Sequence, residues 1–255
     1  MKNQYFGDIN DYRKYGLLRT LSHQGDIRTA VCWMLTPDDD LGHGGRTDYL
    51  QDPGRWRTYD PELFDSLAQC LTDPVNRHVK WAETSGILPS AVFYPNQLTD
   101  NAKEREEYFR KLLCVARDCD LVFFDPDNGL QVKSKPYGRK DSCKYLYWHE
   151  LAETYQAGHS VLVYQHFHRE KRDPFIEARS AKICEETGAS EVLSFRTAHV
   201  LLLLAPQPRH YDIFHVRSLE VTQQWSSQIR VAHHPCGRQT DDIYQHVSAD
   251  RVDTN

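Results

Sequence analysis

The sequence predicts an α/β fold, a three-layer sandwich in which helices cover both faces of a mostly parallel sheet with antiparallel edge strands. Short apolar runs of strand length alternate along the chain with longer amphipathic segments of helical length. This alternation is typical of strand–helix–strand units. The most intense apolar run, residues 200–205, is strand-sized, whereas a membrane-spanning helix needs roughly 18 apolar residues or more.

The first half of the chain opens with a predicted helix over residues 11–24. Its apolar side chains recur at helical spacing, Asp8 or Asn10 is placed to cap its first turn, and Gly25 is placed to end it. The elements that follow are a strand over 28–35, helices over 61–70 and 75–85, a strand over 91–94 and a helix over 101–117.

The second half begins with a strand over 121–124, an uninterrupted apolar run. After it come a helix over 144–155, a strand over 160–164, a helix over 173–187 that Gly188 ends, and strands over 191–195 and 199–204. Residues 212–219 and 229–232 are predicted as further edge strands or a flap. We expect one catalytic domain over 1–247 and a flexible tail over 248–255.

The composition predicts a soluble globular protein, with 40% hydrophobic and 26% charged residues. The net charge of −5 excludes a protein coated with positive charge, but it allows local basic patches. The seven cysteines are odd in number and include no C-x-x-C pair. They predict reduced thiols, a cytoplasmic location and no metal centre. The first residues do not have the pattern of a signal peptide, and we expect no membrane association.

A polar turn, Asp125-Pro126-Asp127-Asn128-Gly129, directly follows the apolar strand over 121–124. Pro126 lacks an amide hydrogen and disfavours a helical conformation at Asp125, so the strand ends there. Gly129 permits a left-handed backbone. Because open α/β sheets bind ligands beyond the carboxyl ends of their strands, Asp125, Asp127 and Asn128 are predicted to be catalytic. The alternative is an ordinary turn rich in Asp and Asn.

Two other predicted strands also end in polar residues, which would bring all three segments to one cleft. Thr36-Pro37-Asp38-Asp39-Asp40 follows the strand over 28–35, and Gln165-His166-Phe167-His168 follows the strand over 160–164. His166 and His168 are two residues apart and would share one face of an extended strand. Both are predicted to be catalytic, and polar groups at a strand exit are the structural alternative.

Residues 133–148 combine positive charges with aromatic rings. Cations contact phosphates and aromatic faces stack on bases, so this mixture indicates an unpaired nucleotide as ligand. The N-terminal segment adds polar side chains beyond those that helix capping needs. The predicted substrate-binding residues are Tyr5, Asp8, Asp11, Tyr12, Lys14, Lys133, Lys135, Tyr137, Arg139, Lys140 and Arg169.

Three segments carry a resemblance that extends to about residue 206. Gly7-Asp8-Ile9-Asn10-Asp11-Tyr12-Arg13-Lys14-Tyr15, Thr47-Asp48-Tyr49-Leu50 and Asp125-Pro126-Asp127-Asn128 are similar to the G-N-H-A-D-x-x-K-H, T-G-E-Y and D-P-P-Y elements of the large-subunit rRNA adenine-N6 methyltransferases. The resemblance implies a Rossmann-like, methyltransferase-like fold and S-adenosylmethionine as cofactor. Two positions differ: Thr36-Pro37-Asp38 replaces the glycine-rich cofactor loop, and Asn128 replaces the aromatic residue that stacks on the base.

Residues 123–129, F-F-D-P-D-N-G, locally resemble the G-x-D-P-x-x-G motif of uracil-DNA glycosylases, with the first Gly missing. The resemblance implies an Asp that positions water against the sugar and a later His, for which His166 or His168 is a candidate. The sequence thus predicts a DNA N-glycosylase that flips out and hydrolyses a modified base without a cofactor. An S-adenosylmethionine-dependent methyltransferase acting on a base in DNA or RNA is the alternative. A nuclease and a non-catalytic nucleic-acid-binding domain are further alternatives.

Overall fold

A mixed seven-stranded sheet forms the centre of the fold. The computed structural model describes residues 1–39, 45–73 and 77–237. Its strands are β1 (Thr29–Cys32), β2 (Val92–Tyr94), β3 (Leu121–Phe124), β4 (Gly129–Leu130), β5 (Tyr145–Leu146), β6 (Ser160–His166), β7 (Glu191–Arg196), β8 (Val200–Ala205) and β9 (Arg230–Pro235). Its helices are α1 (Ile9–Ser22), α2 (Pro53–Trp56), α3 (Pro61–Cys70), α4 (Val79–Thr84), α5 (Ala102–Val115), α6 (Trp148–Gln156), α7 (Arg172–Thr187) and α8 (Tyr211–Gln224).

The large sheet has the strand order β2-β1-β3-β6-β8-β7-β9 over the described ranges. Strands β2, β1, β3 and β6 pair in parallel. Strands β8, β7 and β9 continue the sheet in antiparallel pairings, and β4 pairs separately with β5. The predicted α/β class is confirmed, and the architecture is compatible with a Rossmann-like fold.

Helices pack on both faces of the sheet. Successive strand residues point to opposite faces, so Val31 and Phe123 join one hydrophobic cluster while Cys32 and Phe124 join the other. Helices α1, α3 and α8 cover the first face, and α5, α6 and α7 cover the second. Strands buried on both sides explain the uninterrupted apolar runs in the sequence.

Helix α1 places charged residues deep in the structure. The predicted Asp8 cap is confirmed, because its carboxylate accepts the backbone N–H groups of Asn10 at 2.8 Å and Asp11 at 2.9 Å. At Gly16, an added Cβ would overlap the ring of Trp225, which follows α8. The missing side chain thus lets α1 pack closely against the end of α8.

One predicted element is wrong in type and another in its bounds. Residues 212–219, expected as an edge strand or flap, belong to helix α8, which buries Phe214, Ser218 and Val221 on one face. The helix expected from residue 144 begins only at Trp148, because Tyr145 and the residue after it pair as β5 with β4. The start of the helix expected over 75–85 lies partly outside the described residues, and α4 is the part that is described.

The prediction that all thiols are reduced is wrong for one pair, since Cys184 and Cys236 form a disulfide. This bond ties α7 to the residue after β9, and it closes a separation of 52 residues. No helix in the described ranges is long and apolar enough to cross a membrane. The tail predicted over 248–255 lies outside the described residues.

Candidate active site

A cavity of about 330 Å³ opens beyond the carboxyl ends of the parallel strands β3 and β6. The N-terminal segment and the first turns of α1 form its opposite wall. Its lining residues are Met1, Tyr5, Asp8, Asn10, Asp11, Lys14, Asp125, Pro126, Asp127, Asn128, Tyr164 and His166. The predicted convergence is therefore observed for the polar turn and the β6 exit, which the N-terminal segment joins, whereas none of the described residues 36–39 after β1 lines the cavity.

The polar turn is held in place by contacts from both sides. The backbone N–H of Asp125 donates to the carbonyl of Cys32 at 3.1 Å, and that of Asn128 donates to the carbonyl of Lys144 at 2.9 Å. Gly129 has a φ of +105°, and an added Cβ there would overlap the side chain of Gln165. Because Gly129 leaves this space, the Gln165 side chain can pass beneath the turn. There it bonds to the backbone of Asn128 and Leu130 and holds the turn in position.

Lys14 lies between two carboxylates inside the cavity wall. Its Nζ is 2.6 Å from Asp11 Oδ1 and 2.6 Å from Asp125 Oδ2, and the Lys14 side chain is only 2% exposed. Burial alone would lower the pKa of Lys14, but the two carboxylates outweigh it and raise that pKa above its ordinary value. The cluster of Asp11, Lys14 and Asp125 thus contains one cation for two acids.

Asp127, the second acid of the turn, is anchored at both oxygens. Its Oδ1 lies 2.8 Å from the amine of Met1, and its Oδ2 accepts the hydroxyl of Thr36 at 2.5 Å. Burial raises the pKa of Asp127, but the amine and the hydroxyl together lower it below its ordinary value. Asp127 is therefore a fixed negative charge at the cavity.

Asp8 differs from the other acids of the cavity in its pKa, which the sequence did not reveal. Burial and the nearby charge of Asp11 raise the pKa of Asp8 to about 7, against the backbone N–H bonds that stabilise its charged form. Asp8 keeps an accessible edge at the cavity although protein atoms surround most of the carboxyl group. A carboxyl group with this pKa can exchange a proton near neutral pH. The available signal was the D-x-x-D-x-x-K spacing of Asp8, Asp11 and Lys14, which puts all three on one face of α1.

Amide and aromatic groups complete the cavity wall. Asn10 Oδ1 is buried and has no hydrogen-bond partner in the part of the chain that is described. Asn128, Tyr5 and Tyr164 also line the cavity. The sequence prediction overlooked Tyr164, because the apolar pattern of its strand assigned it to the core.

The segment after β1 packs against the N-terminal residues. The backbone N–H of Thr36 donates to the carbonyl of Met1 at 3.0 Å. Gln4 bonds to the carboxylates of Asp38 at 3.2 Å and Asp39 at 3.1 Å, and Lys2 forms an ion pair with Asp39. Residues 40–44, which include two of the glycines that follow β1, lie outside the described ranges.

The two histidines predicted to be catalytic lie in different environments. His166 ends β6, lines the cavity and packs edge-on against Tyr164 with ring centroids 5.2 Å apart. It is solvent-accessible, but the protein atoms around it lower its pKa. His168 does not line the cavity: it packs against Phe175 of α7, with ring centroids 5.2 Å apart. The prediction that both share one face is wrong, because β6 ends at His166.

The predicted substrate-binding residues divide in a similar way. Tyr5, Asp8, Asp11 and Lys14 line the cavity, whereas Tyr12 is buried in the core with its hydroxyl donating to the carbonyl of Trp56 at 2.8 Å. The predicted contact of Tyr12 with substrate is therefore wrong.

The basic segment lies beside the cavity and is partly occupied with its own contacts. Lys135 pairs with Asp141 at 2.7 Å, and Tyr137 packs edge-on against Tyr147 with ring centroids 5.0 Å apart. The ring of Tyr137 is thus engaged in packing and is not an open stacking surface. Of the cations predicted to bind substrate, Lys133, Arg139, Lys140 and, after β6, Arg169 are exposed.

A buried arginine anchors the basic segment. Arg105 of α5 forms a bidentate pair with Glu150 at 2.5 and 2.8 Å, and it donates to the carbonyls of Ser142 at 3.1 Å and Tyr145 at 2.6 Å. Breaking such a buried pair by removing one partner is strongly destabilising. The segment therefore has a fixed position relative to the turn.

The fold and the cavity define an α/β protein with an acidic cavity at the carboxyl ends of its parallel strands. Comparison with models of protein families, with curated proteins and with solved structures finds no match for this chain. The resemblances drawn from short motifs accordingly stay predictions, and roles are assigned to residues from geometry and charge.

Proposed function

We propose that this protein is an enzyme that removes a base from nucleic acid, DNA rather than RNA, by hydrolysing the N-glycosidic bond. The observation that carries the proposal is the contrast among the cavity acids: the pKa of Asp8 is about 7, while Asp127 is held ionised and Asp125 is paired with Lys14. Titratable groups whose pKa values are pushed apart are typical of an acid and its charged counterpart in catalysis.

The contrast matches the charges that the reaction develops. As the N-glycosidic bond breaks, its electron pair leaves with the base, and the sugar becomes positively charged. Asp127 and the cluster around Asp125 supply negative charge that stabilises the sugar cation. Asp8 in its neutral form donates a proton to the departing base. Water then adds to the sugar carbon and releases a proton to the solvent, from which Asp8 takes up a proton again, so the products are a free base and an abasic sugar.

The rest of the cavity suits a flipped-out base. Its volume of about 330 Å³ is near the lower end of the roughly 300–1,000 Å³ usual for ligand sites. Enzymes that act on a flipped base hold it between aromatic groups and read its polar edge. Tyr5, Tyr164 and His166 can supply the aromatic contacts. Asn10 and Asn128 can supply the polar ones, and the unpartnered Oδ1 of Asn10 supports this assignment.

The exposed cations beside the cavity would contact the phosphates of the strand. Replacing Arg139 and Lys140 by Ala together is expected to weaken DNA binding for all sequences alike. Each lost phosphate contact should reduce the slope of log K against log[salt] by about 0.7–0.9. Fluorescence anisotropy over a salt series measures this slope. Lys80→Ala, which removes an exposed cation of α4, is the control, and an equal loss of affinity there would contradict a defined phosphate-binding surface.

Methyl transfer to a base is the second candidate, with S-adenosylmethionine as cofactor. It is favoured by the sheet order, since β8 lies antiparallel between β6 and β7, and an antiparallel closing strand suits a Rossmann-like methyltransferase fold. The segment after β1 counts against it, because Thr36-Pro37-Asp38 stands in place of the glycine-rich cofactor loop of that family, and residues 36–39 pack against residues 1–4. Asn128, in place of a stacking aromatic, also counts against it.

The deciding experiment incubates the protein with modified and unmodified DNA, with and without S-adenosylmethionine. Abasic sites that appear without the cofactor support base removal. Incorporation of a tritiated methyl group, or measurable binding of the cofactor, would transfer support to the second candidate. The proposal keeps the predicted cytoplasmic location, although the disulfide between Cys184 and Cys236 is one observation against it.

A further inference from the structure

We propose that Glu191, His215 and His233 form a zinc site at the antiparallel end of the sheet. Glu191 begins β7, His215 lies on α8 and His233 lies on β9. None of the three lines the acidic cavity. The site is therefore independent of the proposed base-removal activity.

The three side chains already converge. One ligand atom from each lies within 4.8 Å of the others. Glu191 Oε1 pairs with Nε2 of His215, while Oε2 lies 3.7 Å from Nδ1 of His233. Zinc bonds of about 2.0–2.1 Å to imidazole place the ligands of a tetrahedral ion about 3.3 Å apart. A small rotation of the exposed His215 ring therefore opens the cluster enough to admit the ion.

Ser218 orients His233 for this role. The Ser218 hydroxyl donates its single proton to the carbonyl of His215 at 2.7 Å, and its Oγ lies 3.4 Å from Nε2 of His233. With that proton on the carbonyl, the Ser218 oxygen can accept from Nε2–H of His233. This tautomer leaves the lone pair of Nδ1 directed toward Glu191. Ligand histidines in metal sites are usually held by such a bond from their other ring nitrogen.

The donor set selects the class of metal. Two imidazoles with one carboxylate suit zinc and similar transition metals, whereas magnesium and calcium prefer oxygen ligands alone. Three protein ligands leave a fourth tetrahedral position for water. The bound ion would link α8 and β9 to β7, and Glu191 pairs with Pro235 in the β7–β9 ladder. Zinc would thus hold the outermost strand of the sheet in place.

The test uses the full chain, stripped with chelator and dialysed, in a calorimetric titration with zinc. Zinc should bind and raise the melting temperature, whereas magnesium should do neither. Replacing His215 or His233 by Ala should weaken zinc binding by about a hundredfold or more, since loss of an outer-shell partner alone costs 10- to 100-fold. Ser218→Ala should weaken it by about tenfold.

The matched control is His199→Ala, which removes an exposed histidine at the turn between β7 and β8. This variant should bind zinc as the parent does. Circular dichroism checks that each variant is folded. Failure of the parent to bind micromolar zinc, or unchanged binding in both His215→Ala and His233→Ala, would overturn the proposal.

Discussion

Replacing Asp8 by Asn is expected to slow base removal by about 10²–10⁴-fold while leaving the fold intact. The substitution removes the titratable proton of the one cavity carboxyl with a pKa of about 7. It keeps the helix cap, because Asn caps a helix about as well as Asp does. Single-turnover rates on an oligonucleotide substrate, with circular dichroism of both proteins, measure the effect.

The rate of base removal is expected to depend on pH through the protonation of Asp8. Because Asp8 must be protonated to donate, the parent rate should be highest below pH 7 and should fall by about tenfold per pH unit above it. The Asp8→Asn variant should lack this inflection. Asp52→Asn serves as control, since Asp52 also caps a helix but lies outside the cavity. A parent profile without an inflection near pH 7 would remove Asp8 from the mechanism.

Replacing Lys14 by Met is expected to lower the free energy of unfolding by about 3–5 kcal/mol. Lys14 is 2% exposed and lies 2.6 Å from both Asp11 and Asp125, so its loss leaves two buried carboxylates without a cation. Burial already raises the pKa of Asp11, and the charge of Lys14 opposes that rise. Without Lys14 the pKa of Asp11 should rise further. Urea denaturation of parent and variant measures the difference.

The Lys14→Met deficit should itself depend on pH. A carboxyl group whose folded-state pKa is raised contributes stability below its unfolded pKa and loses it as the pH rises through the folded value. The deficit should therefore be larger at pH 8 than at pH 5. Adding Asp125→Asn to Lys14→Met should recover part of the loss, since contacting residues are coupled. A deficit below about 1 kcal/mol, the usual value for an exposed pair, would contradict a buried charge cluster.

The sequence predicted the parallel half of the sheet well because strands buried on both faces leave uninterrupted apolar runs. Strand β3 and helix α3 have the predicted bounds. Residues 212–219 were mispredicted because their apolar residues alternate over a short stretch, and only burial of Phe214, Ser218 and Val221 reveals the helical period. The disulfide could not be predicted, since a separation of 52 residues carries no local signal.

The sequence predicted where the candidate site lies, but it did not predict the roles of the residues there. The turn, the β6 exit and the first turns of α1 meet because parallel strands end at one edge of the sheet. Tyr12 and Lys14 are two residues apart on a helix and so face different directions, and only Lys14 reaches the cavity. The role of Asp125 depends on the Lys14 cation beside it, and the role of Asp8 depends on its burial. Both are tertiary properties that residue identity does not encode.

The affinity of the cavity for a charged mimic of the reacting sugar is the most direct measure of its role in cleaving an N-glycosidic bond. Two oligonucleotides are compared, one with a cationic pyrrolidine and one with a neutral tetrahydrofuran in place of the target nucleoside. Because transition-state analogues bind at least about 10²-fold tighter than ground-state ligands, the parent should bind the pyrrolidine oligonucleotide about a hundredfold more tightly, and Asp127→Asn should lose most of this preference. Equal affinity of the parent for the two oligonucleotides would contradict the assignment of the cavity to cleavage of an N-glycosidic bond.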